Sequence, residues 1–304
     1  MEATIRPATT DDDLEGWLAV RNAIEPQPMT LAGMRAERTS ITSNMDLVAS
    51  VDGHPIGAGA VAWGPISDES RSIFIQVWVR PEHRRRGTGG RLFDQLTAFA
   101  RDGGIERLTT AVLQGDEASL RFAQARGLEI DGGGQLGRID LTAPDAGGPV
   151  EAIDGVTVAS LAQRPELERE VYELDVLVQP EIPFLAGEPL PSFEAWHAMA
   201  AGDPGFLHDL SLLALEGDRV IGAVLIYDNA DATVFIGMTM VHPDARRRGI
   251  ARHLKREVAH RARDAGIRRI ETFNDGTNDR ILALNEALGY VYDPPYVLLR
   301  GPVR

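Results

Sequence analysis

The spacing of hydrophobic residues changes along the chain from a strand pattern to a helix pattern, and this succession occurs twice. Short apolar runs over 73–79 and 233–241 are typical of buried strands. After a turn rich in Arg and Gly, apolar residues recur three or four positions apart, which predicts a helix with one buried face. These residues are Leu92, Leu96 and Ala100 in the first case, and Leu254, Val258 and Ala262 in the second.

Further elements surround each strand–turn–helix unit in the same order. Each half begins with a strand and a helix, continues with two strands joined by a short polar turn, and ends with a strand, a short helix and a final strand. The predicted helices cover 11–24 and 117–126 in the first half, and 165–178 and 278–288 in the second. Strands and helices thus alternate throughout, as in an α/β protein.

The residues repeat together with the elements. Arg84–Gly89 recurs 162 residues later as Arg246–Ala251, and the match runs without a gap from 79–127 onto 241–289. A match of this length indicates a tandem duplication. It predicts two domains, residues 1–142 and 155–304, joined by a linker over 143–154 in a stretch rich in Pro and Gly.

The second half is longer near its start. The added residues lie between Gln179 and Phe193 and include four prolines. Proline interrupts helices and central strands, so this segment is predicted to be irregular. It is either an ordered loop over a pocket or a plain connection between elements.

Composition narrows the class of protein. The chain has 304 residues, of which 43% are hydrophobic, and it has no cysteine, which excludes disulfides and a thiolate nucleophile. No apolar run reaches membrane-spanning length and no secretory signal opens the sequence, so we expect a cytoplasmic protein without a membrane partner. The net charge of −14 argues against nucleic-acid binding and favours cationic substrates. A monomer or a homodimer is expected.

The repeated turn has the properties of a phosphate site. A strand that leads through Arg and Gly into a helix presents backbone N–H groups and the positive end of the helix dipole to an anion. The alternative is that the arginines are a solvated run and the glycine is only a turn residue. The same strand–turn–helix context occurs twice, which favours the phosphate site. A dinucleotide site would need a third glycine at Leu92, and neither turn contains the Gly-Lys-Ser/Thr of a Walker loop.

At this point a family resemblance emerges. Each turn is similar to Arg/Gln-x-x-Gly-x-Gly/Ala, the acetyl-CoA pyrophosphate signature of the GCN5-related N-acetyltransferases (GNAT). Each follows a Val-x-Pro strand end, Val79-Arg80-Pro81 and Val241-His242-Pro243. Downstream, Asn285-Glu286-Ala287-Leu288-Gly289 resembles the family's Tyr-Glu-x-Leu-Gly. The chain resembles the tandem two-domain form of this family, with a layout similar to that of mycothiol synthase.

The resemblance implies two GNAT domains, each with a mixed sheet whose central strands splay apart, and acetyl-CoA as co-substrate. No metal is implied, and the histidines form no metal-binding set. The implied CoA-binding residues are Val77, Val79, Arg84, Arg85, Arg86, Gly87, Thr88, Gly89 and Gly90 in the first repeat, and Thr239, Val241, Arg246, Arg247, Arg248, Gly249, Ile250, Ala251, Asn278 and Asn285 in the second.

The sequence departs from the family at the position of the catalytic tyrosine. That tyrosine donates a proton to the leaving thiolate, but the first repeat has Ala123 there and the second has Asn285. Alanine donates nothing, so the first domain is predicted to be non-catalytic. In the second domain the candidate catalytic residues are Asn285, Tyr290 as a replacement acid, and Glu271 as a base acting through water.

Taken together, these features predict an N-acetyltransferase that transfers acetyl to a primary amine of a small molecule by direct attack. A protein or peptide amine is a variant of the same hypothesis. Because both tyrosine positions are replaced, a non-catalytic module that binds or senses acyl-CoA is the alternative.

Overall fold

A computed structural model describes residues 3–25, 29–38, 43–63, 72–143, 146–182, 190–229 and 231–304. The chain forms two compact units. Residues 183–189 of the proline-rich segment, and 144–145 of the predicted linker, lie outside the described residues. No helix in the described ranges is long and apolar enough to cross a membrane.

The first unit comprises residues 1–131 together with 297–304. Its sheet has the order β1-β2-β3-β4-β5-β13, in which β1 to β4 pair antiparallel and β4 pairs parallel with β5. The elements are β1 (Thr4–Pro7), α1 (Asp11–Arg21), α2 (Leu31–Glu37), β2 (Ser43–Val51), β3 (His54–Trp63), β4 (Ser72–Val79), α3 (Thr88–Asp102), β5 (Arg107–Leu113), α4 (Glu117–Gln124) and β13 (Tyr296–Pro302).

The second unit comprises residues 132–296. Its sheet has the order β6-β11-β10-β9-β8-β7, with a single parallel pair, β10 and β11, among the pairings described. The elements are β6 (Glu129–Asp140), β7 (Thr157–Ser160), α5 (Glu168–Val178), α6 (Phe193–Met199), β8 (Leu212–Glu216), β9 (Arg219–Asp228), β10 (Thr233–Val241), α7 (Ile250–Asp264), β11 (Arg269–Asp275), α8 (Asp279–Ala287) and β12 (Val291–Tyr292).

Each sheet therefore contains both parallel and antiparallel pairs, which confirms the mixed sheet implied by the family resemblance. The boundaries of the units differ from those of the sequence repeats at their final strands. Strand β6 ends the first repeat but pairs with β11 in the second unit, and β13 ends the second repeat but lies beside β5 in the first. Each repeat thus has its final strand in the sheet of the other unit. Pairing between strands distant in sequence, a tertiary interaction, decides this arrangement.

The second unit has two apolar clusters on opposite sides of its sheet. One contains the buried face of α7, where Leu254, Val258 and Ala262 have no exposed surface, as their spacing predicts. The other contains the apolar face of α5 together with Trp196 of α6. Burial of one leucine-sized side chain contributes about 1.5–3 kcal/mol, so these faces fix both helix layers against the strands.

Candidate active site

The sheet of the second unit opens between its two parallel strands. Strands β10 and β11 pair from Thr233 and Arg269 up to Ile236 and Thr272, and no later pair between them is formed in the described residues. At the same point β10 carries a β-bulge, because its register against β9 shifts between Ile236 and Met238. The bulge and the opening therefore coincide.

Gly237 lies at this bulge. A Cβ atom at this position would lie 2.6 Å from Cε2 of Tyr227, whose ring packs against the strand. A bulge disrupts the ladder locally and re-aims backbone groups, and such features are common beside active sites. In the first unit β4 pairs with β3 in continuous register from Val79 to Ile75, although it too leaves β5 early, after Phe74.

The two Arg/Gly turns, residues 84–90 and 246–252, are here called the cradles. Both helices that follow have a left-handed glycine as N-cap, Gly87 with φ of 82° and Gly249 with φ of 84°, and neither has a side-chain cap. The first N–H groups of α3 and α7 thus have no partner within the helix or its cap. Such groups form a binding site for phosphate.

The three arginines that precede the glycine in each cradle have different surroundings. The first one donates from Nε to the carbonyl oxygen at the strand end, Arg84 to Val79 at 3.0 Å and Arg246 to Val241 at 3.2 Å. It therefore holds the turn against the strand. The middle one, Arg85 or Arg247, has a positive φ of 63° or 62° and is exposed.

Acidic groups balance part of this charge. Arg246 binds Glu181 through two hydrogen bonds and Arg248 pairs with Glu216 at 3.0 Å. In the first cradle Arg84 lies 3.8 Å from Asp116. Burial of Asp116 opposes its ionisation, but hydrogen bonds from Ser119 and the charge of Arg84 lower the pKa of Asp116 overall.

The remaining cradle residues contribute mainly backbone. The side chains of Thr88 and Ile250 are buried. In the first cradle Gly90 leaves space for Arg126, because a Cβ there would lie 2.8 Å from a terminal nitrogen of that guanidinium. Arg126 also stacks on the ring of Phe122 at 3.6 Å. Val77, Val79, Thr239 and Val241 lie on β4 and β10 beyond the last residues that pair with β5 and β11.

The helix N-caps of α4 and α8 occupy matched positions in the two repeats. Asp116 accepts the N–H of Ser119 at 3.0 Å, and Asn278 accepts that of Ile281 at 3.3 Å. Asn278 therefore caps the start of α8 just after the end of β11. Its side chain is neutral, whereas Asp116 at the matched position of the first repeat is a carboxylate.

Asn285 lies at the centre of a polar cluster on the inner face of α8. Its side chain has no exposed surface, and its Nδ2 donates to Asn274 Oδ1 and to the hydroxyl of Tyr292, each at 2.8 Å. The Tyr292 hydroxyl in turn donates to Asn274 Oδ1 at 3.2 Å. Oδ1 of Asn285 is buried and has no hydrogen-bond partner among the described residues. Sequence reasoning did not find Tyr292 or Asn274.

Tyr290, the sequence candidate for the acid, lies in a different environment. It is buried in the apolar core, and its ring faces Nζ of Lys255 at 5.3 Å from the centroid. Burial raises the pKa of Tyr290 far above its ordinary value, with a smaller contribution from Tyr292. The structure thus brings Asn285 together with Tyr292 in one hydrogen-bonded cluster that does not include Tyr290.

Glu271, the candidate base, takes part in an ionic network. It accepts a hydrogen bond from Asn229 Nδ2 at 2.9 Å and lies 3.8 Å from Arg138 and 3.9 Å from Arg269. It lies on β11 before the opening, paired in register with Phe235. Its carboxylate is thus held by Asn229 and two arginines at a point before the strands part.

Aromatic and acidic side chains lie on the opposite side of this sheet. Trp196 packs α6 on α5 and donates from Nε1 to Asp175 at 2.7 Å, and Phe193 packs beside it. Burial raises the pKa of Asp175, and the hydrogen bond from Trp196 opposes this in part. Among the described residues no group of three or more His, Asp or Glu side chains could hold a metal ion.

Comparisons with known proteins agree with this architecture. Residues 13–128 and 170–290 each match the model of the Acetyltransferase (GNAT) family. Over 99% of its length the chain is similar to the GCN5-related N-acetyltransferase from Sphaerobacter thermophilus, with a TM-score of 0.76, 21% identity and 96% of that chain covered. No curated protein matches the sequence.

Two further solved structures have similar folds. A tandem GNAT protein from the clavulanic acid biosynthesis pathway matches with a TM-score of 0.73 and 21% identity, over 100% of this chain and 99% of that one. A glucosamine N-acetyltransferase region of a fungal multi-domain GH3 β-N-acetylglucosaminidase matches with a TM-score of 0.71 and 16% identity, over 98% of this chain and 38% of that one. Because both repeats match the family model, the chain belongs to the acetyltransferase (GNAT) family, with two such domains in tandem.

Proposed function

We propose that the protein is an acetyl-CoA-dependent N-acetyltransferase whose second repeat carries out the reaction on a primary amine of a small molecule. The observation that carries this proposal is the bulge at Gly237, which coincides with the opening between β10 and β11. In the first repeat β4 pairs with β3 in continuous register over the described pairs, from Val79 to Ile75.

The cradles fit the pyrophosphate of acetyl-CoA. Uncapped N–H groups, the helix dipole and the exposed Arg247 or Arg85 all favour a doubly charged anion. When bound, acetyl-CoA supplies the acyl group as a thioester. Backbone beyond Ile236 on β10 has no partner on β11, so Thr239 and Val241 offer peptide groups to the bound chain.

The chemistry of the site rests on backbone polarity and on α8. At the bulge, backbone N–H groups released from the ladder can polarise the thioester carbonyl as an amine attacks it. On the other side of the opening, the cluster around Asn285 supplies hydrogen-bonding groups. In the described pairs of the first repeat β4 shows no bulge from Val79 to Ile75, and Ala123 has no polar group. We therefore propose that this repeat binds the donor without turnover.

Several properties support a small cationic acceptor. The net charge of −14 favours the approach of amines. The similar fungal region is a glucosamine N-acetyltransferase, which makes amino sugars a reasonable first group of acceptors. A protein or peptide amine remains a variant of the proposal. Replacement of both family tyrosines, by Ala123 and Asn285, favours the second candidate function, an acyl-CoA-binding module without turnover.

Thiol release from acetyl-CoA decides between these functions. Because the chain has no cysteine, a thiol reagent reports released CoA without background from the protein. We expect release with at least one member of a panel of amino sugars, polyamines, amino acids and short peptides. If CoA binds but no amine raises release above the buffer rate, the enzyme proposal fails and the binding module stands.

A matched pair of variants assigns the reaction to one repeat. At both Gly249 and Gly87 a Cβ would meet nothing within 4 Å, and both have the same left-handed φ. Glutamate therefore costs about 1–2 kcal/mol of strain in either place, but it also brings a negative charge to the phosphate. We expect Gly249→Glu to abolish turnover, and Gly87→Glu to change stability or the number of CoA molecules bound. Equal loss of turnover in both would contradict the assignment.

A further inference from the structure

We propose that the hydroxyl of Tyr292 stabilises the leaving sulfur in the second repeat, and that Asn285 and Asn274 position it. This inference rests on the proposed function. It assigns to a tyrosine on β12 the place that the family gives to a tyrosine on the preceding helix. The side chain that stands at the helix position, Asn285, is the one that holds the Tyr292 hydroxyl, at 2.8 Å.

The phenol ring has a fixed place. Strand β12 pairs with β6 so that Tyr292 is opposite Gly137, and the ring lies over that glycine. A Cβ at Gly137 would lie 2.6 Å from the ring carbon Cε1. Any other residue there would displace the ring, so the glycine provides the space that the tyrosine needs. The backbone register and this contact together aim the hydroxyl at α8 and the end of β11.

The cluster lies where the sheet opens. Thr272 is the last residue of β11 that pairs with β10, and Asn274 follows two positions later. Alternation along a strand places Asn274 on the same face as Thr272 and Ile270, and Ile270 belongs to the core that contains α7. The Tyr292 hydroxyl, bonded to Asn274, is therefore on the side of the sheet that carries α7, next to the opening that the proposed function gives to the donor.

The first repeat lacks the cluster completely. With the same shift of 162 residues, Asn274, Asn285 and Tyr292 correspond to Val112, Ala123 and Ile130. All three polar side chains are replaced by apolar ones. The polar cluster therefore distinguishes the second repeat, to which the proposed reaction is assigned, from the first.

Two groups of the cluster, the Tyr292 hydroxyl and Asn285 Oδ1, are available to form a hydrogen bond with a ligand. The Tyr292 donor bond to Asn274 is 3.2 Å long, beyond the usual range for O–H···O bonds, so the hydroxyl can turn to a better acceptor at small cost. Asn285 Oδ1 is buried and lacks a donor. An unsatisfied buried acceptor is unfavourable, and a bound donor group of the substrate would satisfy it.

The protonation state of Tyr292 suits this role. Burial raises the pKa of Tyr292, and the hydrogen bond from Asn285 opposes the rise only in part. The phenol is therefore neutral at physiological pH and keeps its proton for donation. A thiol is a stronger acid than a phenol. The departing thiolate therefore accepts a hydrogen bond from Tyr292, and the proton stays on the phenol oxygen.

The reaction balances with this assignment. The amine nitrogen forms a C–N bond to the acetyl carbon and the C–S bond breaks, its electron pair remaining on sulfur. The thiolate accepts the Tyr292 hydrogen bond, the nitrogen loses its surplus proton to water, and solvent supplies one proton to the sulfur. The products are the amide and the free thiol, and Tyr292 ends as it began.

Paired ligands test the contact without requiring turnover. We would measure the Kd of CoA and of desulfo-CoA, which lacks the sulfur, by calorimetry at a pH where the thiol is ionised. A hydrogen bond to a charged group contributes about 1.5–3 kcal/mol, so Tyr292→Phe should weaken CoA binding roughly tenfold to a hundredfold. Desulfo-CoA binding should stay within about twofold, because the phenylalanine ring still packs on Gly137.

Kinetic and control measurements complete the design. Tyr292→Phe should lower kcat with little change in the KM for acetyl-CoA, and Asn285→Ala, which copies Ala123, should reduce the sulfur preference because the hydroxyl loses its support. Tyr172→Phe, whose hydroxyl bonds Pro191 elsewhere in the unit, is the control. Thermal melts verify that each variant folds.

Each result has a distinct meaning. If Tyr292→Phe weakens both ligands equally, or neither, the proposal is overturned, while thiol release by the wild type still supports the acetyltransferase. If Tyr290→Phe rather than Tyr292→Phe removes the sulfur preference, the role belongs to Tyr290. If the sulfur preference is found as expected but no amine is acetylated, the proposed function fails and the contact to sulfur stands.

Discussion

Replacing Lys255 by methionine should stabilise the protein by an amount that depends on pH. Lys255 is the single lysine of the chain and lies on α7 with 2% of its surface exposed. Its Nζ has no hydrogen-bond partner in the described residues and faces the ring of Tyr290. The matched residue of the first repeat is Phe93, which is also buried. The fold therefore accepts an apolar side chain at this position.

The magnitude follows from the pKa of Lys255, which burial lowers from 10.5 to about 7. Between these values the unfolded chain binds more protons than the folded protein, so the free energy of unfolding rises with pH across this window. Below about pH 7 the penalty is complete, and above about pH 10.5 it vanishes. At ~1.36 kcal/mol per unit, the difference corresponds to about 5 kcal/mol. Methionine has a similar shape and removes this penalty.

Urea unfolding at several pH values measures the effect. Lys255→Met should gain several kcal/mol near pH 6, and the gain should shrink steadily as the pH approaches 10.5. Lys255→Phe, copied from the first repeat, tests whether the gain depends on the side chain chosen. Isotope-labelled lysine gives one side-chain resonance, whose titration reports the pKa directly. A midpoint near the ordinary 10.5, or a gain independent of pH, would refute the reasoning.

Two further changes test the bulge and the opposite side of the sheet. Gly237→Ala should lower turnover, and it should lower the free energy of unfolding by about 1–3 kcal/mol, because its Cβ would lie 2.6 Å from Tyr227. Gly276→Ala, where the nearest atom is 3.8 Å away, is the control in urea unfolding and thiol release, and equal effects of the two changes would contradict a role for the bulge. Asp175→Asn should be more stable than the wild type at neutral pH, because an acid whose folded pKa is raised loses stability as pH rises above the ordinary 3.8. Melts that show the same pH dependence in both proteins would place the titration elsewhere.

Local patterns were sufficient to predict the repeated part of the site. The left-handed glycines Gly87 and Gly249, and the helices that follow them, lie where the Arg/Gly turns indicate. These features depend on neighbours in sequence, namely the backbone freedom of glycine and the spacing of apolar residues. The residue types thereby determined the duplication and the succession of strands, turns and helices in each copy, whereas the mixed sheet followed from the family resemblance.

The side chain of Asn285 contacts Asn274 and Tyr292, which lie on other elements. These contacts could not be predicted from the periodicity of the sequence. Tyr290 and Tyr292 are two positions apart in the chain, and the sequence does not tell them apart. The hydroxyl of Tyr292 contacts Asn285, whereas the ring of Tyr290 faces Nζ of Lys255. A signal was present, since Tyr292 and Asn274 are polar where the first repeat has Ile130 and Val112. That comparison identifies a difference between the repeats but gives no distance between the side chains.

The sequence by itself determined that the chain contains two copies of a strand–turn–helix unit with an Arg/Gly turn, because that unit is specified by residues close together in the chain. Only the tertiary structure decided which final strand joins which sheet, that β10 carries its bulge where it parts from β11, and that the hydroxyl of Tyr292 on β12 contacts Asn285 on α8. Each of these depends on pairing between segments far apart in sequence, whose free energy is set by mutual packing rather than by local preference.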